Sequence, residues 1–251
     1  MYGHDHSYFI SNFKKYGFEL RSNKINSRKY IANFSYFKNI DTHEKAYWLG
    51  YIYADGYVSI TKDGRKRFGM ALSIKDKSQL EKLKKCMDAT YPIKDYEQKS
   101  GFSNHTLYSR LIIDSEELFN DLVHHGVSQH KTNILKRPNI DSEFLSSFIL
   151  GYFDGDGSIF LNNGRCPFYS ISIVGTDDIL TFIHNYLKDV GVLNKEVKLE
   201  KRKNTQIVSY IRYGGNNLVQ KIMDTLYKNI DPSLPLERKM ELYLNCKNRI
   251  F

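Results

Sequence analysis

The hydrophobic pattern of this chain is dominated by two uncharged runs, residues 46–54 and 144–153, in which apolar side chains fall on nearly every side of a helical wheel. Such a run belongs inside a protein, because a surface helix keeps one polar face. Each is about half the roughly 20 residues needed to cross a bilayer, so protein rather than lipid must cover it. After each run the period changes from helical to alternating. Residues 57–61 and 68–74 read as strands around the turn Lys62-Asp63-Gly64, with another strand at 107–113. Residues 158–161 and 168–174 read the same way around Asn162-Asn163-Gly164, with 196–203 and 207–213 completing the set. Amphipathic helices are predicted at 77–88 and 115–124 in the first stretch, and at 177–190 and 217–227 in the second. The order helix, hairpin, helix, hairpin, helix therefore occurs twice.

The two buried runs share more than hydropathy. Trp48-Leu49-Gly50-Tyr51-Ile52-Tyr53-Ala54-Asp55-Gly56 aligns with Ile149-Leu150-Gly151-Tyr152-Phe153-Asp154-Gly155-Asp156-Gly157, and the terminal carboxylates Asp55 and Asp156 lie 101 residues apart. An apolar helix that ends on a carboxylate carries a charge to the edge of the core, where it must be paired or bind a metal. One copy alone reads as a core helix stopped by a glycine turn. Two copies in register point to one shared acidic site. Gly50 with Ala54, and Gly151 with Gly155, form stripes of small residues that permit close backbone approach. Packed in parallel, the two helices deliver Asp55 and Asp156 to the same end, within reach of common divalent cations. Asp41 with Glu44 resembles a capping box for the first helix, and Asp141-Ser142 offers a cap for the second. The alignment extends to Leu72-Ser73-Ile74 against Ile171-Ser172-Ile173, which makes Asp76 and Gly175 equivalent positions.

This motif pair resembles the LAGLIDADG homing endonucleases in their single-chain, two-motif form, over the chain from about residue 41 to the C-terminus. The third-position glycine and the final Asp-Gly match. Leu49 and Leu150 stand where the motif has alanine, and Tyr53 stands at the sixth position, where the second copy keeps the acid Asp154. The resemblance implies an α+β fold of two pseudo-symmetric αββαββα halves, each with a four-stranded antiparallel sheet, forming a DNA-binding saddle with the motif helices packed at its centre. The halves are expected at 41–138 and 139–251, after a basic aromatic arm at 1–40. The implied activity is sequence-specific, Mg²⁺-dependent double-strand cleavage of a long DNA target leaving 3′ overhangs, with Mn²⁺ able to substitute and Ca²⁺ supporting binding without cleavage. Asp55 and Asp156 are then metal ligands, with Gly56 and Gly157 beside them in the metal site. Lys131 and Lys239, which follow their acids by 76 and 83 residues, are expected to orient water and hold developing charge, and Asp76 to orient solvent or metal.

Composition agrees with a polyanionic partner: the formal net charge is +9, and excess cations favour nucleic acid through counterion release. Strand and turn positions Lys62, Arg65, Arg67, Lys75, Lys77 and Arg110 in the first copy, and Arg165, Lys198, Lys201, Arg202, Lys203 and Arg212 in the second, are the candidate contacts to phosphates and bases. Cys86, Cys166 and Cys246 are widely spaced with no CxxC, which disfavours a disulfide framework or structural zinc and suits an intracellular reducing compartment, organellar or that of a phage or bacterium. His124, His125 and His130 are expected to finish a helix, where imidazolium suits the C-terminal dipole. The chain is expected to act as a monomer on double-stranded DNA, with no membrane segment and with intron RNA as a further partner. The rival reading is a DNA-binding regulator or an RNA maturase on the same scaffold, against which two carboxylates facing phosphates argue.

Overall fold

The computed structural model of the protein describes residues 15–16, 29–100, 103–128, 137–201 and 208–248. The first half runs α1 (His43–Asp55), β1 (Gly56–Ile60), β2 (Lys66–Ser73), α2 (Lys77–Cys86), β3 (Lys94–Ser100), β4 (Ser103–Asp114) and α3 (Glu116–His124). The second runs α4 (Leu145–Asp156), β5 (Gly157–Asn162), β6 (Phe168–Gly175), α5 (Asp177–Asp189), β7 (Glu200–Lys201), β8 (Ser209–Gly214), α6 (Asn216–Tyr227) and α7 (Glu237–Lys247). Each half holds one antiparallel sheet of four strands, in the orders β1-β2-β4-β3 and β5-β6-β8-β7. This is the α+β architecture of two pseudo-symmetric halves expected from the duplicated pattern.

Strand alternation decides which face of each sheet is covered. Val58, Phe68, Met70, Leu111 and Ile113 point to the buried side of the first sheet, and Ile159, Ile171, Ile173 and Ile211 to that of the second. α2 and α3 lay Leu80, Leu83, Leu118 and Leu122 on the first face, while α5 and α6 lay Ile179, Leu180, Ile183, Val219 and Ile222 on the second. The opposite face of each sheet stays open. No helix among the described residues is long and apolar enough to cross a membrane.

The polar strand β3 escapes the periodicity argument. Its sequence Lys-Asp-Tyr-Glu-Gln-Lys-Ser alternates nothing apolar, because it forms an edge of the sheet, beside β4 alone. Part of the expected arm belongs to the first half: Tyr36, Phe37 and Ile40 are buried, and Ile31 exchanges backbone and side-chain hydrogen bonds with Thr90. Residues 1–14 and 17–28 lie outside the described residues.

Three local expectations change. The N-cap of α1 is Thr42, whose hydroxyl accepts the Lys45 N–H at 3.2 Å, while Asp41 takes the Lys45 ammonium at 2.7 Å and Glu44 accepts the Tyr36 hydroxyl at 2.5 Å. α4 starts from a 3₁₀ turn, Ser142–Phe144, and Asp141 makes no side-chain cap. The strand register pairs Gly56 with Met70 and Gly157 with Ile173, so Met70, not Ile74, is the counterpart of Ile173. Asp76 closes a 3₁₀ turn, Ile74–Asp76, before α2, whereas Gly175 is the last residue of β6; the two positions are not equivalent.

Candidate active site between the paired helix ends

α1 and α4 run in parallel and touch backbone to backbone. A Cβ placed on Gly50 would lie 1.9 Å from the Phe148 carbonyl oxygen, and one on Gly151 would lie 1.9 Å from that of Tyr47. These reciprocal contacts mark the pseudo-two-fold axis. One turn further on, a Cβ on Gly155 would lie 2.2 Å from the Ala54 Cβ and 3.0 Å from Asp55 Oδ2. The space vacated by the Gly155 side chain therefore admits the Asp55 carboxylate against the last turn of α4, the turn that ends on Asp156. Both acids are half-buried. At the far end of the helices, His43 Nδ1 sits 3.0 Å from Ser147 Oγ.

The two negative charges act on common neighbours. Burial, then the charge of Asp156 and that of Asp55, hold the Tyr152 phenol well above its ordinary range. Lys239 feels both acids as well. Its ammonium is buried and donates to the carbonyls of Phe153 at 2.6 Å, Asp154 at 2.7 Å and Gly157 at 2.6 Å, capping the C-terminal end of α4. Burial pushes its pKa down to about 8, with Asp154, Asp55 and Asp156 pulling the other way.

Asp154 sits under this cation, fully buried. It accepts the Tyr47 hydroxyl at 2.8 Å and the Leu236 N–H at 2.9 Å, so it fastens the segment that leads into α7. Burial raises its pKa despite Lys239. Gln79, on α2 of the first half, extends the network by donating to the Tyr47 hydroxyl and to the Leu234 carbonyl, both at 2.7 Å.

These contacts bear on two residues expected in the site. All three N–H bonds of Lys239 are committed to carbonyls, which makes it a support of the helix end that carries Asp156. The Gly157 carbonyl, expected beside the metal, accepts that ammonium at 2.6 Å. Gly56 enters the β1–β2 ladder opposite Met70. Lys131 lies outside the described residues.

Asp76 reaches across to the second half. Its two oxygens accept Arg238 Nε and Nη2 at 2.9 and 3.0 Å, a bidentate pair between residues 162 positions apart. Arg238 escaped the sequence reading, although it adjoins Lys239. His125 is also corrected: it is buried, sits 2.8 Å from the Phe37 carbonyl through Nε2, and is held below the ordinary imidazole range by burial, so it is neutral rather than a charged helix cap. His130 lies outside the described residues.

Carboxylates at adjoining helix ends are the hard oxygen donors that Mg²⁺ takes one or two at a time, with water and substrate oxygens completing its shell. The gap at Gly155 leaves the Asp55 carboxylate room to serve in that way. Among the described residues no group of three or more His, Cys, Asp or Glu side chains could hold a metal by itself. Asp55 and Asp156 thus fit an ion shared with an oxygen-rich ligand.

The basic candidates distribute unevenly. Lys62, Lys75, Arg165 and Lys198 are exposed on turns and loops. Arg67 on β2 donates to Asp114 at 2.6 and 3.1 Å, and Arg65 reaches both Asp63 at 2.7 Å and Asp114 at 3.3 Å. The Arg110 guanidinium lies 4.4 Å from the Tyr96 ring centre, and that of Arg212 lies 5.5 Å from Tyr210. Lys77 and Lys201 are paired with Asp95 and Asp177. Arg202 and Lys203 lie outside the described residues.

Comparison with known proteins agrees with the duplicated geometry. The model of the LAGLIDADG-like domain matches residues 42–120 and again 143–225. The fold is similar to that of the meganuclease I-SmaMI bound to uncleaveable DNA with a TTCT central four, with TM-score 0.53 and 14% identity over 81% of this chain and 90% of that one. It is similar also to the LAGLIDADG meganuclease I-CpaMI bound to uncleaved DNA, with TM-score 0.52 and 12% identity over 81% and 89%. A third, the LAGLIDADG homing endonuclease I-LtrWI bound to target DNA, gives TM-score 0.51 and 13% identity over 86% and 91%. A search of curated proteins returned no match. With one family match on each half and both motif helices at the centre, this chain belongs to the LAGLIDADG-like domain family, with two copies of the domain on a single chain.

Proposed function

We propose that the protein is a divalent-metal-dependent DNA endonuclease that acts as a monomer and cuts both strands of a long, specific duplex site. The observation that carries this reading is the convergence of Asp55 and Asp156 at the touching ends of α1 and α4, each of which leads directly into the first strand of its sheet. Family membership and the DNA-bound state of the I-SmaMI, I-CpaMI and I-LtrWI structures support it. Two carboxylates facing a polyanion weaken simple binding, so their presence favours catalysis over a role as regulator.

The sheets hold the duplex across the saddle, and the helix ends meet the scissile phosphates of the two strands. Mg²⁺ held by Asp55 and Asp156 would neutralise charge on the phosphoryl group and lower the pKa of a bound water. The chain's residues supply the rest. Asp55 and Asp156 each serve one strand, with water attacking phosphorus and the 3′ oxygen leaving. Lys239 fixes the carbonyl end of α4 so that Asp156 keeps its aim, and its charge offsets part of the repulsion between the acids. Asp76 holds Arg238 at the rim, where a guanidinium offsets phosphate charge. Cuts across the minor groove, leaving 3′ overhangs, belong to the same proposal.

Selection from a randomised duplex library tests it, with Mg²⁺ for cutting and Ca²⁺ for binding. The expected result is one long site that is bound in both ions and cleaved in Mg²⁺. Selective binding without cleavage in any divalent ion would overturn the nuclease reading in favour of a regulator; selective capture of RNA alone would favour a maturase.

A further inference from the structure

The two open sheet faces carry different chemistry. Residues directly opposite each other in an antiparallel pair share a face, so the register defines each one. On the first sheet, Ser59, Arg67 and Asp114 form one row, and Ala71, Arg110 and Lys94 another. On the second, Ser158, Ser172 and Arg212 form one row, and Phe160, Ser170 and Gly214 another.

The first face presents two arginines that are already held. Asp114 accepts Nε and Nη2 of Arg67, which occupies one edge of the guanidinium and leaves its Nη1/Nη2 edge as a fork of fixed direction. The Arg110 guanidinium carbon lies 4.4 Å from the centre of the Tyr96 ring, which stacks on Tyr108 with ring centres 5.4 Å apart; the guanidinium also hydrogen-bonds the Tyr96 side chain, while its buried Nε has no hydrogen-bond partner. A cavity of about 310 Å³ opens between them, lined by Arg67, Arg110, Tyr96 and Asp114 together with Tyr30 and Tyr91. An arginine fork matches the O6 and N7 acceptors of guanine in the major groove, and fixing it before contact lowers the ordering cost of binding.

Among the described residues the second face lacks this preparation. Arg212 rests near Tyr210 and Phe160, at 5.5 and 5.9 Å, and no ion pair anchors it among the described residues. Its neighbours are serines, which accept any base, and Phe160 with the exposed Phe168, which suit the thymine methyl.

Resting on the DNA-binding reading proposed above, we infer that the two half-sites are read unequally: Arg67 and Arg110 each fix a guanine in the half-site under the first sheet, and the half-site under the second sheet is A·T-leaning. Asp114 is a positioning residue in this scheme, acting through Arg67.

The test is selection of bound duplexes from a randomised library in Ca²⁺ by the full chain, repeated with Arg67→Lys, Arg110→Lys, Asp114→Asn and Arg212→Lys. The wild-type consensus should hold two strong G·C positions in one half. Arg67→Lys and Asp114→Asn should weaken guanine preference at the same one of these positions by about tenfold, and Arg110→Lys at the other, because a lysine cannot form the bidentate pair. Arg212→Lys should leave both positions intact. Should Asp114→Asn fail to fold, Arg67→Lys alone still decides that position. A consensus with equal guanine content in both halves, or guanine positions indifferent to Arg67→Lys and Arg110→Lys, overturns this inference alone. Failure to bind any duplex overturns it together with the nuclease reading.

Discussion

The two halves build the same ion pair with its charges exchanged. In the first, Lys77 at the start of α2 meets Asp95 on the edge strand at 2.8 Å, and the buried Ser109 donates to the same carboxylate at 2.7 Å. In the second, the acid, Asp177, starts the helix α5, the lysine, Lys201, sits on the edge strand at 2.6 Å, and the buried Ser209 again donates to the carboxylate. Ser109 pairs with Asp95 and Ser209 with Lys201 in the two registers, so the positions correspond. The fold needs a bridge between helix start and edge strand, and either polarity satisfies it. It follows that Lys77 and Lys201, candidate DNA contacts by composition, are committed to carboxylates.

At the helix ends the halves differ in kind. The Tyr53 hydroxyl of the first half donates to the His125 carbonyl, a neutral hydrogen bond. In the second half the corresponding Asp154 sits beside Lys239 in a buried, charged network that reaches Gln79 and Leu236. A neutral bond needs only local complementarity. The charged network holds only while every member is present, because an unpaired buried ion is costly.

The shared interface is the strongest place to break the symmetry. Gly50→Leu should cost about 3 kcal/mol or more, or prevent folding, because even its Cβ would overlap the Phe148 carbonyl. Gly164→Ala, in open space, should be near neutral. Equal melting temperatures for the two variants would show that the helices separate without cost. Next, Lys239→Met should destabilise by about 3–5 kcal/mol by leaving three carbonyls at the end of α4 without their donor and the buried Asp154 without its nearby cation, while Tyr53→Phe should cost about 1–3 kcal/mol for one unsatisfied carbonyl. Denaturant unfolding of both separates a charged from a neutral helix brace; matched losses would erase the distinction.

The Asp76–Arg238 pair sharpens the comparison at the level of cleavage. The bridge joins one half's turn to the other half's α7, and Thr176, which stands before α5 as Asp76 stands before α2, carries no charge with which to repeat it. One strand should therefore be cut faster, with nicked duplex accumulating, and Arg238→Ala should narrow the ratio by about tenfold, the scale of one charge-assisted hydrogen bond. Equal strand rates in the unaltered protein would remove any role for the pair in cleavage. The smallest effect is acidic. Because burial holds His125 below its ordinary value of 6.5, the unfolded chain binds the extra proton, and stability from this residue is present above pH 6.5 and lost as pH falls through its folded value. His125→Gln should flatten that part of the stability profile, and an unchanged slope would assign it to other groups.

Much of this arrangement is legible in the chain because the motif helices are buried on nearly every side, a pattern few surface elements imitate. The acids Asp55 and Asp156 are conspicuous for the same reason, as charges at the end of apolar runs. β3 is not legible, since an edge strand with Asp, Glu, Gln and Lys carries no apolar period. Nor is the role of Lys239, because whether an ammonium caps carbonyls or faces solvent depends on where α7 crosses the end of α4. Arg238 and Asp76 become partners only through a contact 162 residues apart, and no local spacing announces it. Caps displaced by a residue, as at Thr42, reflect competition between adjacent polar side chains for the same N–H groups.

The central claim is that Asp55 and Asp156 form one cleavage centre with an acid for each strand. Cleavage of the selected duplex in Mg²⁺ by Asp55→Asn and by Asp156→Asn, scored strand by strand beside binding in Ca²⁺, tests it most directly. Each variant should bind with little change and lose double-strand cutting by at least on the order of 100-fold, as loss of a metal ligand requires. Full double-strand cutting by either variant would contradict the account.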